Sequence, residues 1–379
     1  MGVGVITFCE FMKRALGDPE FGYYTQKARI GFAEADFYTA PEISPAFASL
    51  LALQILELDE ALGSPDPFYL MEAGPGNGTL AEGLLTIFMN ADRKFFDRIS
   101  AVFFELPGIL EQEQRKRLEK FPLSHPPQWV HIDEVQRSGG KIPFSGSGVL
   151  FGNEFLDALP VHRLRVSNGE WKESYVEVPE KGPVKEVWGP ISSPVLQEEL
   201  SKHFPRDLAK MEGFETEICL EVSATLDALD KFLENGFMLW IDYGDIGVER
   251  HSERRKRGTL LSYKDQTVSE DLFKGGVGES DLTAFVDFSQ IAAHLSTLGY
   301  RFEGYTNQMS WLMGLGFPDW MEANQERLSS EEIECAGVLL HPLKMGRIFK
   351  VLLMSKGKTS PVRHSGFRYG GLQPPLEVR

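Results

Sequence analysis

The chain has 379 residues, of which 42% are hydrophobic and 25% are charged, an ordinary globular composition that excludes fibrous and disordered proteins. Its 55 acidic and 39 basic side chains leave a formal net charge of -16, which opposes non-specific binding to nucleic acid or anionic lipid. The three cysteines are far apart, so neither a zinc site nor a disulfide framework is indicated. No apolar run is long enough to span a bilayer, and the N-terminus has no signal-peptide core, so we expect a cytoplasmic protein.

Residues 1–66 are predicted to form an N-terminal helical segment. Apolar residues from Phe8 to Leu16 follow the spacing of one helix face. Further on, Ser44 followed by Pro45 predicts a helix start, and this second helix should continue to about Leu62. The stretch "DFYTAPEI" before it is then expected to be a loop.

From residue 67 onward, apolar strands alternate with helices. This alternation predicts an α/β fold with a parallel sheet, whose ligands bind at the carboxyl ends of the strands. The predicted strands, in chain order, are "FYLMEA", "ISAVFFEL", "QWVHI", "GVLFGNEF" and "GFMLWIDYG". The intervening helices are expected to begin at Thr79 and to run from about Ile109 to Lys120.

Two insertions, at about 161–216 and 245–290, interrupt the alternation. The first contains a predicted hairpin at Ser167-Asn168-Gly169, and a helix capped by Ser223 and closed by Gly236 should follow it. Each insertion is short, so we expect neither to have a hydrophobic core of its own.

The last strands, "GYRFEGYTN" and "RIFKVLLMS", could pair antiparallel at one edge of the sheet. One domain would then occupy residues 1–355. Residues 356–379 are rich in glycine, proline and basic residues, and this composition predicts a disordered tail.

The stretch "EAGPGNGT" joins the first predicted strand of the sheet to a helix. Its glycines, Gly74, Gly76 and Gly78, let a ligand lie close to main-chain N–H groups. The dinucleotide pattern G-x-G-x-x-G would need glycine where Thr79 stands. With Glu72 placed to accept a hydrogen bond from an ammonium group, the loop instead suits S-adenosylmethionine (SAM).

Two further carboxylates follow the next predicted strands. Glu105 lies where an acid would bind the ribose hydroxyls of SAM. Asp133 could border the adenine, although a solvated loop acid explains this residue equally well.

The remaining carboxyl-end loops should present the methyl acceptor. Asn153, Glu154 and Asp157 follow the fourth strand, and Asp242 and Tyr243 follow the fifth. If the acceptor is a guanidinium, carboxylates should grip it and accept its proton, and Glu154 is the first candidate. The alternatives are that Glu154 stabilises a helix N-terminus and that Asp157 is a structural cap.

These residues resemble the MidA-type class I SAM-dependent methyltransferases, which include the mitochondrial assembly factor of respiratory complex I. The similar blocks, in order, are "EFGYYT", "DFYTAPEISP", "EAGPGNGTLA", "NEFLDALPVHR", "WIDYG", "GTLLSY", "DLTAFVDFS" and "MGRIFKVLLM". The resemblance implies a Rossmann-like, mostly parallel seven-stranded sheet with an antiparallel edge strand and family-specific insertions. It also implies arginine methylation of a protein partner, such as a subunit of a complex I-type assembly.

Position by position, the resemblance assigns the glycine loop with Glu72 and Glu105 to SAM, and Asn153 with Glu154 to the acceptor side. It further implies that Thr39, Pro41 and Glu42 belong to a loop that closes over the cofactor, although a structural turn would also explain Pro41. The resemblance also singles out three residues of the second insertion, Asp281, Thr283 and Asp287. Each of them either contacts the substrate or braces a loop through hydrogen bonds.

The chain departs from the family at two positions. Phe285 and Gln266 stand where, or near where, the family usually has histidine, which puts the identity of the acceptor in doubt. The first family helix begins within ten residues of the N-terminus, so we expect a bacterial-type homologue without a transit peptide.

Three hypotheses follow from the sequence. The first is a SAM-dependent methyltransferase that acts on an arginine of a protein partner. The second is a SAM-binding assembly protein, or scaffold, with little catalysis. The third is a methyltransferase for a small molecule or for another side chain, which only the acceptor loops would distinguish from the first.

Overall fold

The computed structural model describes residues 4–31, 36, 39–137, 142–179, 182–203, 210–250, 255–273, 276–360 and 364–369. The strands of this described part are β1 (Gly4–Thr7), β2 (Phe68–Ala73), β3 (Ile99–Phe104), β4 (His125–Val130), β5 (Gly146–Asn153), β6 (His162–Ser167), β7 (Glu170–Val178), β8 (Lys185–Gly189), β9 (Glu215–Ile218), β10 (Leu233–Asp245), β11 (Leu261–Lys264), β12 (Thr267–Ser269), β13 (Asp281–Thr283), β14 (Val286–Asp287), β15 (Arg301–Asn307) and β16 (Phe349–Lys356). The α-helices are α1 (Phe8–Gly17), α2 (Ala40–Ile43), α3 (Pro45–Ala61), α4 (Thr79–Ala91), α5 (Arg93–Arg98), α6 (Ile109–Leu118), α7 (Ile132–Arg137), α8 (Pro194–His203), α9 (Glu221–Asp230), α10 (Gly247–Arg250), α11 (Phe288–Thr297), α12 (Gln308–Gly314), α13 (Phe317–Asn324) and α14 (Ser330–Leu340). A π-helix covers Tyr23–Lys27, and a 3-10 helix covers Ser365–Phe367.

The central sheet has the strand order β15-β16-β10-β5-β2-β3-β4, and the short β14 pairs with β10. Strands β10, β5, β2, β3 and β4 are mutually parallel, whereas β16 is antiparallel to both of its neighbours. The predicted α/β fold with a mostly parallel sheet is therefore confirmed. The antiparallel strand lies one position inside the edge, because the chain forms β15 first and then returns through α12, α13 and α14 to insert β16 beside β10.

Helices cover both faces of this sheet. Alternate residues of each strand point to opposite faces, so Val149 and Phe151 pack with α3, α4, α12 and α14, while Leu150 packs with α9 and α11. All three side chains are at most 1% exposed. Because both faces are covered, the strands are apolar almost throughout, which made them recognisable in the sequence.

The N-terminal segment and the first insertion together form a second, antiparallel sheet. Strand β1 pairs with β7, so residues 1–66 are not helical throughout as predicted. The β6–β7 hairpin is confirmed, with positive φ at Asn168 and Gly169. The prediction that this insertion lacks its own core is wrong, because six buried side chains form a small separate cluster: Leu164, Val166, Leu196, Leu200, Phe214 and Ile218.

The second insertion forms a small sheet of order β12-β11-β13. Its apolar side chains, including Leu260 and Leu282, share a cluster with Phe8 and Met12 of α1. Helix α1, near the start of the chain, is therefore packed against the second insertion.

Three local predictions were wrong. Gly236 does not close a helix but lies inside β10, where an added Cβ would be 2.1 Å from the Gly148 carbonyl oxygen, so close strand approach explains this glycine. Helix α9 also begins at Glu221, ahead of Ser223. The stretch predicted as a loop before Ser44 contains the one-turn helix α2, which Thr39 and Glu42 cap.

Part of the predicted disordered tail is ordered. Strand β16 continues to Lys356, and the 3-10 helix packs at the sheet edge with His364 only 5% exposed. The backbone N–H of Ser365 donates to Glu57 of α3 at 3.1 Å, which anchors the segment. Residues 361–363 and 370–379 lie outside the described part of the chain. Across the described residues, the helices are too short or too polar to cross a membrane.

Candidate functional site

The glycine loop between β2 and α4 depends on left-handed backbone conformations. Gly74, Gly76 and Gly78 have φ values of +66°, +57° and +83°, which favour glycine over residues with a Cβ. A Cβ at Gly74 would lie 2.7 Å from the Phe155 ring, and one at Gly76 would lie 3.2 Å from Ile30. The loop therefore turns tightly while neighbouring elements pack close to it.

Two carboxyl groups, the buried Glu72 and the partly buried Glu105, flank this loop at the ends of adjacent parallel strands. Oε2 of Glu72 has no hydrogen-bond partner among the described residues, and the side chain is 3% exposed. Glu105 accepts hydrogen bonds from the Leu106 N–H at 2.7 Å and from Gln114 Nε2 at 2.8 Å, and Gln114 also donates to the Gly76 carbonyl at 2.6 Å. Burial raises the pKa of Glu72 to about 8 and that of Glu105 to about 7.

A single cavity of about 1040 Å³ connects these carboxyl groups with the loop that follows β5. The sequence-predicted residues that line it are Thr39, Pro41, Glu72, Gly74, Gly76, Thr79, Glu105, Asp133, Asn153 and Glu154. Gly78 is not on the wall and instead forms the N-cap of α4. Asp133 lines the cavity from the exposed start of α7.

Asp242 does not line the cavity, contrary to its predicted catalytic role. It is 1% exposed, and its carboxylate accepts hydrogen bonds from the backbone N–H groups of Leu156 at 2.9 Å, Asp157 at 3.2 Å and Tyr243 at 2.9 Å. Burial, followed by repulsion from Asp157 and Glu154, raises its pKa. Asp242 therefore acts as a positioning residue that holds the loop after β5.

Glu154 begins that loop in a strained conformation, with φ +54°. A positive φ on a residue other than glycine is uncommon and is characteristic of functional sites. Its Oε1 accepts hydrogen bonds from the Ala40 N–H at 3.2 Å and from Asn153 Nδ2 at 3.1 Å. Burial, followed by the nearby Asp157 carboxylate, raises the pKa of Glu154 to about 8.

The N-terminal segment borders the same cavity. Asn77 of the glycine loop donates to the Ile30 carbonyl at 3.0 Å, and Thr39 donates its N–H to Glu42 at 3.0 Å. Through Ala40, this segment also contacts Glu154. Both the glycine loop and the acceptor-side loop are therefore in contact with residues that precede α3.

Residues 50–306 match the protein family described as "Putative S-adenosyl-L-methionine-dependent methyltransferase". The chain belongs to this methyltransferase family. The resemblance inferred from the sequence blocks is thereby confirmed, and SAM is the cofactor of the family.

Relatives and a solved structure agree with this assignment. The methyltransferase is 28% identical to the Drosophila melanogaster protein named "Protein arginine methyltransferase NDUFAF7 homolog, mitochondrial", with 94% of this chain and 83% of the relative covered. It is also 28% identical to the human protein arginine methyltransferase NDUFAF7, with coverages of 91% and 79%. A crystal structure from Burkholderia thailandensis, bound to S-adenosyl-homocysteine, has a TM-score of 0.82 and 28% identity, and covers 97% of this chain and 91% of its own.

The residues of the methyltransferase fit SAM. The unpartnered Glu72 oxygen suits the ammonium group of the amino-acid end, and the Glu105 carboxylate suits the ribose hydroxyls. The left-handed glycines leave the cradle free of side chains where a ligand would approach the backbone. When bound, SAM supplies a methyl group activated by the sulfonium.

The structure also brings in residues to which the sequence had assigned no role. The Tyr24 hydroxyl donates to Asp281 Oδ1 at 2.7 Å, and Tyr263 stands opposite Asp281 in the β11–β13 pair. All three line the cavity of the methyltransferase. Tyr24 belongs to the block "EFGYYT", which the sequence had marked only as part of the family pattern.

Only some of the residues singled out in the second insertion line the cavity. Thr283 and Phe285 line the cavity, as does Gln266. Asp287 instead caps α11, because its Oδ1 accepts from the N–H groups of Ser289 at 2.9 Å and Gln290 at 3.3 Å. For Asp287 the structural reading is therefore the better one.

Proposed function

We propose that this methyltransferase transfers the methyl group to a guanidinium nitrogen of an arginine in a protein partner. One observation carries the proposal: three carboxyl groups line the cavity without an ion-pair partner among the described residues, the buried Asp157 and Asp281 and the partly buried Glu154. Burial raises the pKa of Asp157 to about 6 and that of Asp281 to about 7. A cation bound in the cavity would offset the cost of keeping these groups ionised.

A guanidinium suits this arrangement better than other common cations. It is planar, remains protonated in water and carries five N–H donors, so separate carboxylates can bind it from different directions. Methylation of one nitrogen releases a proton. Glu154, with its pKa raised to about 8, is suited to accept that proton near neutral pH.

The strained loop supports an aiming role for Glu154. The Ala40 N–H and Asn153 Nδ2 both bind Oε1, so that oxygen is fixed while Oε2 is free to interact with an acceptor. The names of the mitochondrial relatives, which are protein arginine methyltransferases, point to the same acceptor.

The test is to incubate the purified protein with methyl-labelled SAM and extract from a suitable host, and to locate the label by mass spectrometry. We expect label on arginine in the wild type and a loss of at least about tenfold in Glu154→Gln, because a charge-assisted contact to the acceptor is removed. Glutamine can still accept from Ala40 and Asn153, so SAM affinity should be unchanged. Glu60→Gln, at an exposed acid of α3 outside the cavity, is the matched control and should label normally.

A third variant separates binding from chemistry. Gly76→Val should lose SAM binding, because valine strains the left-handed backbone and its side chain would meet Ile30. Label on a small molecule or on another side chain would contradict the arginine proposal. SAM binding without any labelled product would instead favour the assembly-protein hypothesis.

A further inference from the structure

Two buried polar side chains of the cavity, besides Glu154, each have an oxygen without a hydrogen-bond partner among the described residues. Asp157 and Thr283 are 4% and 3% exposed, and both line the cavity. Asp157 Oδ1 and Thr283 Oγ1 have no hydrogen-bond partner among the described residues. The Ala284 N–H donates to the Asp157 carbonyl at 3.0 Å, which connects the loop after β5 with the residue that follows Thr283 in the second insertion.

The surrounding residues hold this pair firmly. Asp242 binds the backbone N–H groups of Leu156 and Asp157. The Tyr243 hydroxyl faces the Asp157 carboxylate and lowers its pKa, which burial raises more strongly. The Tyr243 ring packs edge-on against Phe285, with ring centroids 5.5 Å apart, and the Arg255 guanidinium covers Phe285 at 4.3 Å.

The unpartnered atoms have no evident role in folding. Leaving a buried acceptor without a hydrogen bond destabilises the fold, and an apolar residue of the same shape would avoid that penalty. The site therefore fits a ligand that donates hydrogen bonds here. The neighbouring groups favour a cation, because the Glu154 and Asp281 carboxyl groups can ionise beside it, while Tyr24 and Tyr263 add aromatic and hydroxyl surface.

Glu154 and Asp157 approach the cavity from different places. Glu154 lies two residues after Gly152, which pairs with Ala73 just before the glycine loop. Asp157 instead contacts Ala284, at the end of β13 in the second insertion. The cavity thus has one carboxylate beside the cofactor loop and another against the insertion.

We propose that Asp157 and Thr283 form the second half of the acceptor site and bind the guanidinium N–H groups that Glu154 does not contact. This inference rests on the proposed function and extends it. Together with Glu154, the pair selects a planar cation with several donors over an ammonium, because the Glu154 and Asp157 carboxylates can bind different nitrogens of one guanidinium.

The experiment uses the full-length protein saturated with S-adenosylhomocysteine. Methylguanidinium and methylammonium are titrated in, and their dissociation constants are measured by NMR. We expect the wild type to prefer methylguanidinium by about tenfold or more, and Asp157→Asn to reduce that preference by about tenfold. Thr283→Val should reduce it by about threefold, since it removes one neutral contact.

The controls separate this site from general damage to the fold. Affinity for S-adenosylhomocysteine should be unchanged in both variants, and Thr306→Val, a buried threonine of β15 outside the cavity, should keep the wild-type preference. Absence of a preference in the wild type, or an equal preference in folded Asp157→Asn and Thr283→Val, would overturn the inference. If arginine is not labelled but the preference for methylguanidinium still depends on Asp157, only the proposed protein substrate would be refuted.

Discussion

At the residue scale, the site keeps buried acids that the fold alone does not need. Glu72, Glu154 and Asp157 each have a raised pKa, and burial is the main cause in all three. Such groups destabilise the free protein when they ionise. We therefore infer that these acids lower the stability of the free protein and are retained because they bind a ligand, as is common at active sites.

Glu72→Gln tests the destabilising effect of one such acid through the pH dependence of stability. The folded pKa of about 8 exceeds the ordinary value of 4.5, so the stabilising proton is fully present below about pH 4.5 and is lost as the pH rises through 8. Glutamine cannot ionise. Without cofactor, we expect the variant to melt on the order of 2 °C above the wild type near pH 8.5 and close to it near pH 5.

The same variant should bind SAM more weakly, because an amide replaces the acceptor of the ammonium. Thermal denaturation and calorimetric titration provide the two measurements. Glu60→Gln, at an exposed acid of α3 outside the cavity, serves as the control and should change neither quantity. A Glu72→Gln protein that melts below the wild type at high pH would contradict the assignment of Glu72 as a destabilising buried acid.

At the element scale, Asp36 joins the N-terminal segment to the second insertion. Its carboxylate accepts from the Tyr23 hydroxyl at 3.0 Å, from Arg29 at 2.9 Å and from the Asp265 N–H at 3.0 Å. Its carbonyl accepts from the Gln266 N–H at 2.8 Å. Together with the Tyr24–Asp281 bond, these contacts hold one wall of the cavity against another.

We expect Asp36→Ala to lower the free energy of unfolding by about 2 kcal/mol, because several hydrogen bonds to one charged group are lost. SAM affinity should also fall, since Ile30, which accepts from Asn77 of the glycine loop, lies on the loosened segment. Chemical denaturation and calorimetry measure the two effects. Asp271→Ala, which removes only an exposed bond to the Phe273 N–H, is the matched control.

A lower stability with unchanged SAM affinity would show that the N-terminal segment does not shape the cofactor site. A comparable fall in Asp271→Ala would trace the loss to the second insertion as a whole.

At the scale of the whole molecule, the segment that follows β16, of which residues 357–360 and 364–369 are described, contacts helices of the main domain. We call this segment the chain end. Arg368 donates to the Gly314 carbonyl, and the Ser360 N–H donates to the Ala61 carbonyl at 2.8 Å. Gly366 lies against Trp311, where an added Cβ would be 2.3 Å from the indole. The segment thus joins α3 and α12, which lie far from it in the sequence.

Gly366→Ala should therefore destabilise the protein by about 1–3 kcal/mol, through overpacking against Trp311. Gly337→Ala is the matched control, because Gly337 lies inside α14 with open space around it. There alanine should stabilise by about 0.5–1 kcal/mol, since it favours the helix. Urea denaturation measures both changes, and a neutral Gly366→Ala would show that the chain end contributes little.

Local patterns were enough to predict a glycine loop with two acids beside it. Glu72 and the glycines lie within one strand-to-helix junction, and Glu105 follows the adjacent strand, so short-range rules of parallel sheets place them together. The same rules failed at Gly236, because a glycine looks alike in sequence whether it ends a helix or allows two strands to approach. Only the facing Gly148 carbonyl distinguishes the two cases.

The sequence by itself thus determined the fold class, the alternation of parallel strands with helices, and the glycine loop between β2 and α4, because each depends on neighbours in the chain or in the sheet. The tertiary structure decided the pairing of β1 with β7, the anchoring of the chain end and the composition of the acceptor site. Tyr24 and Asp281 meet across 257 positions of sequence, and Asp157 meets Ala284 across two insertions. Such contacts form because distant segments share apolar clusters, and no local periodicity records which segments those are.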